Sequence, residues 1–469
     1  LCRETWRHCS AAAKNIRRGI ILERKQPFMK RLISLCAVLL LLAGMCPARA
    51  ERAPIPDVLR FSQKQMGREY VRNNQYILRT YPQTANEAVN EELRVLIDGM
   101  AEKGRAFLPG GKIQIASCLD VGTTIFRTGS RWMSFLTIAL ISHEREQVYV
   151  DFDARVCDMV SGSRLTLGDL FAPDSAAWDM LAQAVRDQLT DYFMHETPDS
   201  AALEALCSRE ALENTAFTLT PAKLELHYRA DALYPGKNTL MHVKLYYSSL
   251  RPLMTALGQE ITDNSSYKMI ALTYDDGGAK SYTKNLLLTL RQYGANATFF
   301  IVGTMMDANH NNMCRQHDAG FALASHNYTH TYTGITNESV SRWKAKFDAK
   351  MDAVVGIRPA YMRAPGGHSD LFIKAGVDMP MIHWSLNSSD AGNDNAAAVA
   401  SIVSSGAKDG AVVLMHDLNP LSREYTGMIL QNLEKKDFLC VTVDELFDHY
   451  GVPLLPNQEY KGCTEQAGK

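Results

Sequence analysis

Little in this sequence departs from an ordinary folded chain, and what it lacks narrows the field. The composition carries no disordered or collagenous bias, and 469 residues suffice for two or three domains with substantial cores. None of the 10 cysteines falls in zinc-ribbon spacing, so a cysteine-held structural zinc is not expected. The N-terminal apolar run from Leu32 to Gly44 is about 13 residues, too short to span a bilayer comfortably. Positive charge is not in excess either: the whole chain carries a formal net charge of −1.

The run at Leu32 has a different use. Met29-Lys30-Arg31 supplies a positive start and Ala48-Arg49-Ala50 a small-residue cleavage site, so 29–50 reads as a secretory signal peptide. Because the chain begins at Leu1 with Met29 just ahead of the signal, 1–28 is expected to be upstream translation or a gene-model extension. An uncleaved anchor is the main alternative to cleavage. A lipid anchor on Cys46 is disfavoured by Met45, which stands where a small residue is expected. Cleavage after Ala50 leaves 40 Lys and Arg against 49 Asp and Glu, a net charge of −9. Such a surface is not built to bind nucleic acid by charge, and no membrane span is expected after cleavage. Six cysteines remain, with Cys440–Cys463 and Cys118–Cys157 as candidate pairs in an exported protein.

Two halves follow. In the first (51–260), Phe61 to Tyr81 is expected to give a lead-in helix and a loop, followed by a helix from Glu87 to Gly104. Lys112–Asp120, Thr123–Thr128, Arg131–Ile141 and Gln147–Asp153 have the spacing of an antiparallel meander. An amphipathic helix from Asp174 to Tyr192 and strands at Phe217–Pro221, Leu224–Tyr228 and Leu240–Tyr247 complete an α+β domain. The order Asp151-Phe152-Asp153, Arg164–Phe171, Phe217–Pro221 and Leu240–Tyr247 resembles the α+β module of bacterial envelope proteins. Lysozyme-sensing anti-sigma factors and some secreted deacetylases carry that module, and the match covers about residues 60–255. His143, His195, His227 and His242 are scattered and form no catalytic constellation, so binding or spacing is the expected role. Thr262-Asp263-Asn264-Ser265-Ser266 reads as a linker (261–266).

In the second half (267–469), seven strands alternate with helices: Met269–Tyr274, Ala297–Val302, Phe321–Ser325, Tyr361–Ala364, Met381–Leu386, Val412–Met415 and Phe438–Val443. That alternation implies a parallel β/α barrel or open sheet with its strand C-termini on one face. The chemistry gathers at those ends. Thr273-Tyr274-Asp275-Asp276-Gly277 delivers two adjacent carboxylates. Alone it would pass for an Asp-Asp-Gly turn, but side chains alternate along a strand, so one can bind a cation while the other stays free as a base. His326 and His330, at i and i+4, are expected on one face of a helical turn, close enough to grip one metal with Asp276. Arg363, Asp390 and His416 sit at the ends of later strands.

These motifs, Thr273–Gly277, His326-x-x-x-His330, Arg363-x-Pro365-x-Gly367, Asp390 and Leu414-x-His416, resemble in order and strand context those of polysaccharide deacetylases, the NodB-homology or family-4 carbohydrate esterases. The resemblance covers about residues 267–450. It implies an α/β fold with a distorted (β/α) barrel, and metal-dependent removal of acetyl groups from N-acetylated or O-acetylated sugars. Carried over motif by motif, Asp276, His326 and His330 hold the metal, with zinc favoured and cobalt or another divalent transition metal as alternatives. Asp275 is the base that Arg363 orients, His416 is the acid that Asp390 orients, and the Gly366 N–H faces the oxyanion, worth about 3 kcal/mol per donor. Trp384 and Leu414 line the acetyl pocket. Two departures concern the groove. The family often has Tyr at the position of Gly366, and its Asp-x-x-Asp-Trp motif is here Asn387-Ser388-Ser389-Asp390-Ala391.

The leading expectation is an exported, envelope-associated peptidoglycan N-acetylglucosamine or N-acetylmuramic acid deacetylase. Its substrate is a cell-wall glycan, and the N-terminal half could take a protein ligand. Chitin or xylan deacetylation is the rival within the class. A wall- or lysozyme-binding protein with a silent barrel and a non-haem iron oxygenase are the rivals outside it; intact Asp275 and His416 argue against both.

Overall fold

The computed structural model describes residues 52–463, apart from 73, 110–116, 144–145 and 278–279. The expected extension at 1–28 and signal peptide at 29–50 lie outside the described residues. Residues 52 onward form one compact unit. Among the described residues no helix is long and apolar enough to cross a membrane.

Phe61 to Tyr81 corrects the expectation of a lead-in helix. It forms β1 (Phe61–Gln65), β2 (Glu69–Arg72) and most of β3 (Gln75–Thr84), which precede the helix Glu87–Arg105. The local pattern was too mixed to choose, and pairing decides it: Phe61 through Gln65 run antiparallel to Thr84 through Thr80. The meander exists with fewer, longer strands, β4 (Ser117–Thr128), β5 (Trp132–His143) and β6 (Glu146–Asp158). The sheet order is β1-β3-β4-β5-β6, with β2 on β3. Strands β4 and β5 lack polar alternation because both faces are covered. Leu119, Val121 and Ala139 pack with Ile97 and Met100 of the helix; Phe126, Leu136 and Ile138 pack instead into the core of the second half. A second, antiparallel sheet holds β7 (Phe217–Leu219), β8 (Lys223–Arg229) and β9 (Leu240–Tyr246).

The second half is α/β. Strands β10 (Lys268–Asp276), β11 (Thr298–Ile301), β12 (Ala322–Ser325), β13 (Met381–Ile382), β14 (Leu386–Asn387), β15 (Ala411–His416), β16 (Phe438–Val441) and β17 (Glu459–Tyr460) are interleaved with helices. The sheet β12-β11-β10-β15-β14, with β16 beside β10, is parallel throughout. The expected strand at Tyr361–Ala364 is reduced to bridges: Met362 links Ser325 to Met381, β13 pairs with β17, and Gly462 bridges Ala411.

The expected linker is pinned rather than loose. Asn264 is buried; its side chain accepts from Gly129 N at 2.9 Å and donates to Thr128 Oγ1 at 3.0 Å and Pro221 O at 2.9 Å. Buried polar ties reinforce the apolar packing between the halves. Asp318 accepts from Thr239 Oγ1 at 2.6 Å and Leu240 N at 2.9 Å, and Lys223 Nζ lies 3.1 Å from Glu225 and 3.3 Å from Asp444. The six cysteines from Cys118 to Cys463 are free, so neither candidate disulfide forms. Five of them are buried and Cys440 is partly so, and they serve as small core residues.

Candidate active site

Register builds the site. Asp275 on β10 is paired with His416 on β15, Asp276 with Ile301 on β11, and Ile301 with Ser325 on β12, one residue before His326. Neighbouring parallel strands thus end on the same rung, and their C-terminal side chains meet.

The two carboxylates take different main partners, although an oxygen of each lies within 4 Å of His326 Nε2. Asp275 is buried, and Arg363 Nη1 donates to its Oδ1 at 2.7 Å. The guanidinium is fixed on its other sides by the carbonyls of Ile382 and His383, each 3.1 Å away, and lies over the Phe300 ring with its carbon 4.1 Å from the centroid. Asp276, less buried, faces the histidines from a left-handed backbone with φ 88°. For a residue with a Cβ that conformation is strained, and strain of this kind gathers at functional sites.

His326 and His330 do come together, though not on a helical turn. The segment is an irregular loop in which Asn327 and His330 take positive φ, at 63° and 56°. His330 Nε2 is 3.4 Å from Asp276 Oδ1, and His326 Nε2 is 3.8 Å from the same oxygen and 3.6 Å from Asp275 Oδ2. Ligand atoms of Asp276, His326 and His330 all lie within 4.8 Å of one another. His326 Nδ1 donates to the Arg363 carbonyl at 2.9 Å, which fixes the tautomer and turns the Nε2 lone pair toward the carboxylates. Burial, opposed by those carboxylates, lowers the pKa of His326, and a neutral imidazole is the form that binds metals. One carboxylate and two imidazoles so arranged fit a divalent transition metal.

Across the rung, His416 Nδ1 donates to Asp390 Oδ1 at 2.9 Å, and its backbone N–H donates to Asp390 Oδ2 at 2.8 Å. Burial works against protonating His416, but the Asp390 hydrogen bond and charge, with Asp275 and Asp276 beyond, raise its pKa to about 9. Asp390 is itself held low: burial alone would raise it, but the bonds from His416 and Tyr425 outweigh that. The Tyr425 hydroxyl shares its proton between Asp390 Oδ2 and the His416 carbonyl, each 2.8 Å away, and Ser388 Oγ donates to Asp390 Oδ1 at 2.9 Å. Tyr425 and Ser388 were missed in the sequence. Ser388 sits in the altered fourth motif, but Tyr425 lies on the helix Ser422–Glu434 with no spacing that points to Asp390.

Gly366 sits in the tight turn Pro365–Gly367 with φ 63°. Trp384 stacks on His383 with ring centroids 3.8 Å apart, and Leu414 is buried on β15 opposite Thr273 and Asn387. All ten residues singled out in the sequence therefore belong to strands or loops of the α/β half.

Comparison with known proteins now bears on this arrangement. The polysaccharide deacetylase family model matches residues 262–378. A peptidoglycan-N-acetylglucosamine deacetylase of Bacillus cereus is 30% identical over 195 residues, 40% of this chain and 91% of that protein. The Listeria monocytogenes peptidoglycan-N-acetylglucosamine deacetylase PgdA is 28% identical over 319 residues, 66% of this chain and 67% of that protein. Among solved structures, a family 4 acetyl xylan esterase from Clostridium thermocellum in complex with a cobalt ion has a TM-score of 0.40 and 26% identity, covering 42% of this chain and all of that one. The family model and the sequence relatives define a hydrolase of the polysaccharide deacetylase class. The chain belongs to the polysaccharide deacetylase family, and its activity is deacetylation.

Proposed function

We propose that the chain is an exported enzyme of the cell envelope that hydrolyses the N-acetyl group of peptidoglycan amino sugars, N-acetylglucosamine or N-acetylmuramic acid, and releases acetate. One observation carries this reading: the Asp275–Arg363 pair, the Asp276–His326–His330 set and the His416–Asp390 pair converge at the ends of adjacent parallel strands. The named activities of the peptidoglycan deacetylases above support the choice of substrate.

A divalent metal, with zinc favoured, held by Asp276, His326 and His330 would polarise the acetyl carbonyl and acidify the attacking water. Asp275, outside that ligand set and oriented by Arg363, takes the proton from the water. The Gly366 N–H faces the oxygen that becomes negative. His416, kept protonated and aimed by Asp390, delivers a proton to the departing sugar nitrogen, so that acetate and a free amine result. Trp384 and Leu414 bound the acetyl methyl. The ring of strand pairings from β15 through β12, Met362 and β13 is read as the distorted barrel of the family, with 267–469 as the catalytic domain and 51–260 as a wall-binding or spacing module.

The test is acetate release from purified cell wall, followed by mass spectrometry of the digested muropeptides to identify the deacetylated sugar. Chelation, Asp275→Asn and His416→Ala should each abolish release. Undiminished release in both variants would overturn the mechanism.

A further inference from the structure

The third motif departs from its family at Gly366, and the structure accounts for what replaces the missing ring. A Cβ at Gly366 would lie 3.1 Å from the His368 ring and 3.5 Å from the Tyr332 ring, so both side chains close directly over the turn. Tyr332 and His368 pack together as a tilted pair, with centroids 4.5 Å apart and planes at 32°. Gly367 faces the opposite way, where a Cβ would meet His383 at 2.9 Å and Trp384 at 3.0 Å. The Gly-Gly pair is thus flanked by two aromatic pairs; a side chain at Gly367 would collide with His383, and one at Gly366 would crowd the His368 ring.

The two pairs differ in exposure. His383 and Trp384 are partly buried and Arg363 lies near the Trp384 ring, on the side of the turn assigned above to the acetyl methyl. Tyr332 is 45% exposed, one of a small set of large apolar side chains left in water among the described residues, and His368 is exposed beside it. Their position is informative. Tyr332 follows the candidate metal ligand His330 by two residues on the same loop, and His368 follows Gly366 by two, so the pair joins the loop of the metal set to the turn. An exposed flat aromatic surface beside a hydrolytic centre suits a pyranose ring, whose axial C–H face is apolar while its hydroxyls stay in water.

We propose that Tyr332 and His368 form a sugar-stacking ledge that binds a pyranose ring of the glycan next to the scissile acetamide, in place of the ring that the family often carries on its third motif. The inference rests on the function proposed above and adds a specificity-determining pair from outside the family motifs.

The experiment is steady-state acetate release by the full, metal-loaded chain from the N-acetylglucosamine tetramer, with a small aryl acetate as the reference substrate. Tyr332→Ala should raise KM for the tetramer about tenfold, with kcat within about twofold, and Tyr332→Phe should stay near wild type. The ratio of kcat/KM for tetramer over aryl ester should fall by the same factor, and His368→Ala should shift it in the same direction. An unchanged KM, or an equal loss on both substrates, overturns the ledge; the second result would mark a disturbed metal loop. Titration calorimetry of the tetramer onto Asp275→Asn, with and without Tyr332→Ala, separates this inference from the reading beneath it. If the wild type binds the tetramer but releases acetate neither from it nor from purified cell wall, the proposed function falls. The ledge then stands or falls on whether Tyr332→Ala weakens that binding about tenfold.

Discussion

Asp275→Asn is the sharpest substitution because it removes two things at once. Acetate release should drop about 10³-fold, the scale of a lost general base. Arg363, now a buried cation without its carboxylate, should also destabilise the fold by about 3 kcal/mol, readable as a lowered denaturation midpoint. A fully stable Asp275→Asn protein would contradict the ion pair. His416 sets a pH dependence of its own. Its folded pKa of about 9 exceeds the ordinary 6.5, so the Asp390–His416 contact contributes fully below pH 6.5 and is lost as pH rises through 9. That contribution is about 3 kcal/mol, and Asp390→Asn should flatten the loss in denaturation curves taken from pH 6 to 10. Residues of this kind were legible because chemistry restricts their type and spacing. Tyr425 was not: a tyrosine in a helix has many uses, and only the fold brings its hydroxyl to Asp390.

Elements were legible where one period dominates, as in the parallel strands and the helix Asn337–Val355. They were illegible where pairing overrides local pattern, as at Phe61–Gln65, and where strain is tolerated for a site, as at Asn327 and His330. Histidines judged scattered in sequence prove adjacent, because β8 and β9 pair His227 directly with His242. Their Nδ1 atoms lie 2.8 Å apart, and His317 stands beyond with its ring 5.0 Å from that of His242. Burial lowers His227 and His317 to about 4. Stability from these neutral rings is present above pH 6.5 and lost as pH falls through 4, on the order of 3 kcal/mol each. Replacing His227 with Gln, which does not titrate, should move the acid-unfolding midpoint to lower pH; an unmoved midpoint would refute this assignment.

For the molecule as a whole, the two halves read from the sequence share a core, and the charges between them are buried. Lys223 is wholly inaccessible; burial alone would strip its proton, but Asp444, Glu225 and Glu445 hold it charged. Lys223→Met should leave those carboxylates uncompensated and lower stability by about 3 to 5 kcal/mol. Calorimetry of residues 51–469 should give one cooperative transition, since Phe126, Leu136 and Ile138 of one half pack with Leu290 and Phe299 of the other. Two well-separated transitions would show the halves to be independent. The sequence could not disclose this coupling, because a both-face-buried strand looks the same whether a helix or another domain covers it.

With Asp276 as the proposed metal ligand, its left-handed backbone would set catalysis against durability at a single position. Glycine there would relax the φ of 88° and remove one of two crowded carboxylates, so metal-free Asp276→Gly should be more stable than metal-free wild type by about 1 kcal/mol while losing its cation. Selection for a sturdier chain and selection for a working one would then favour different residues at the same codon.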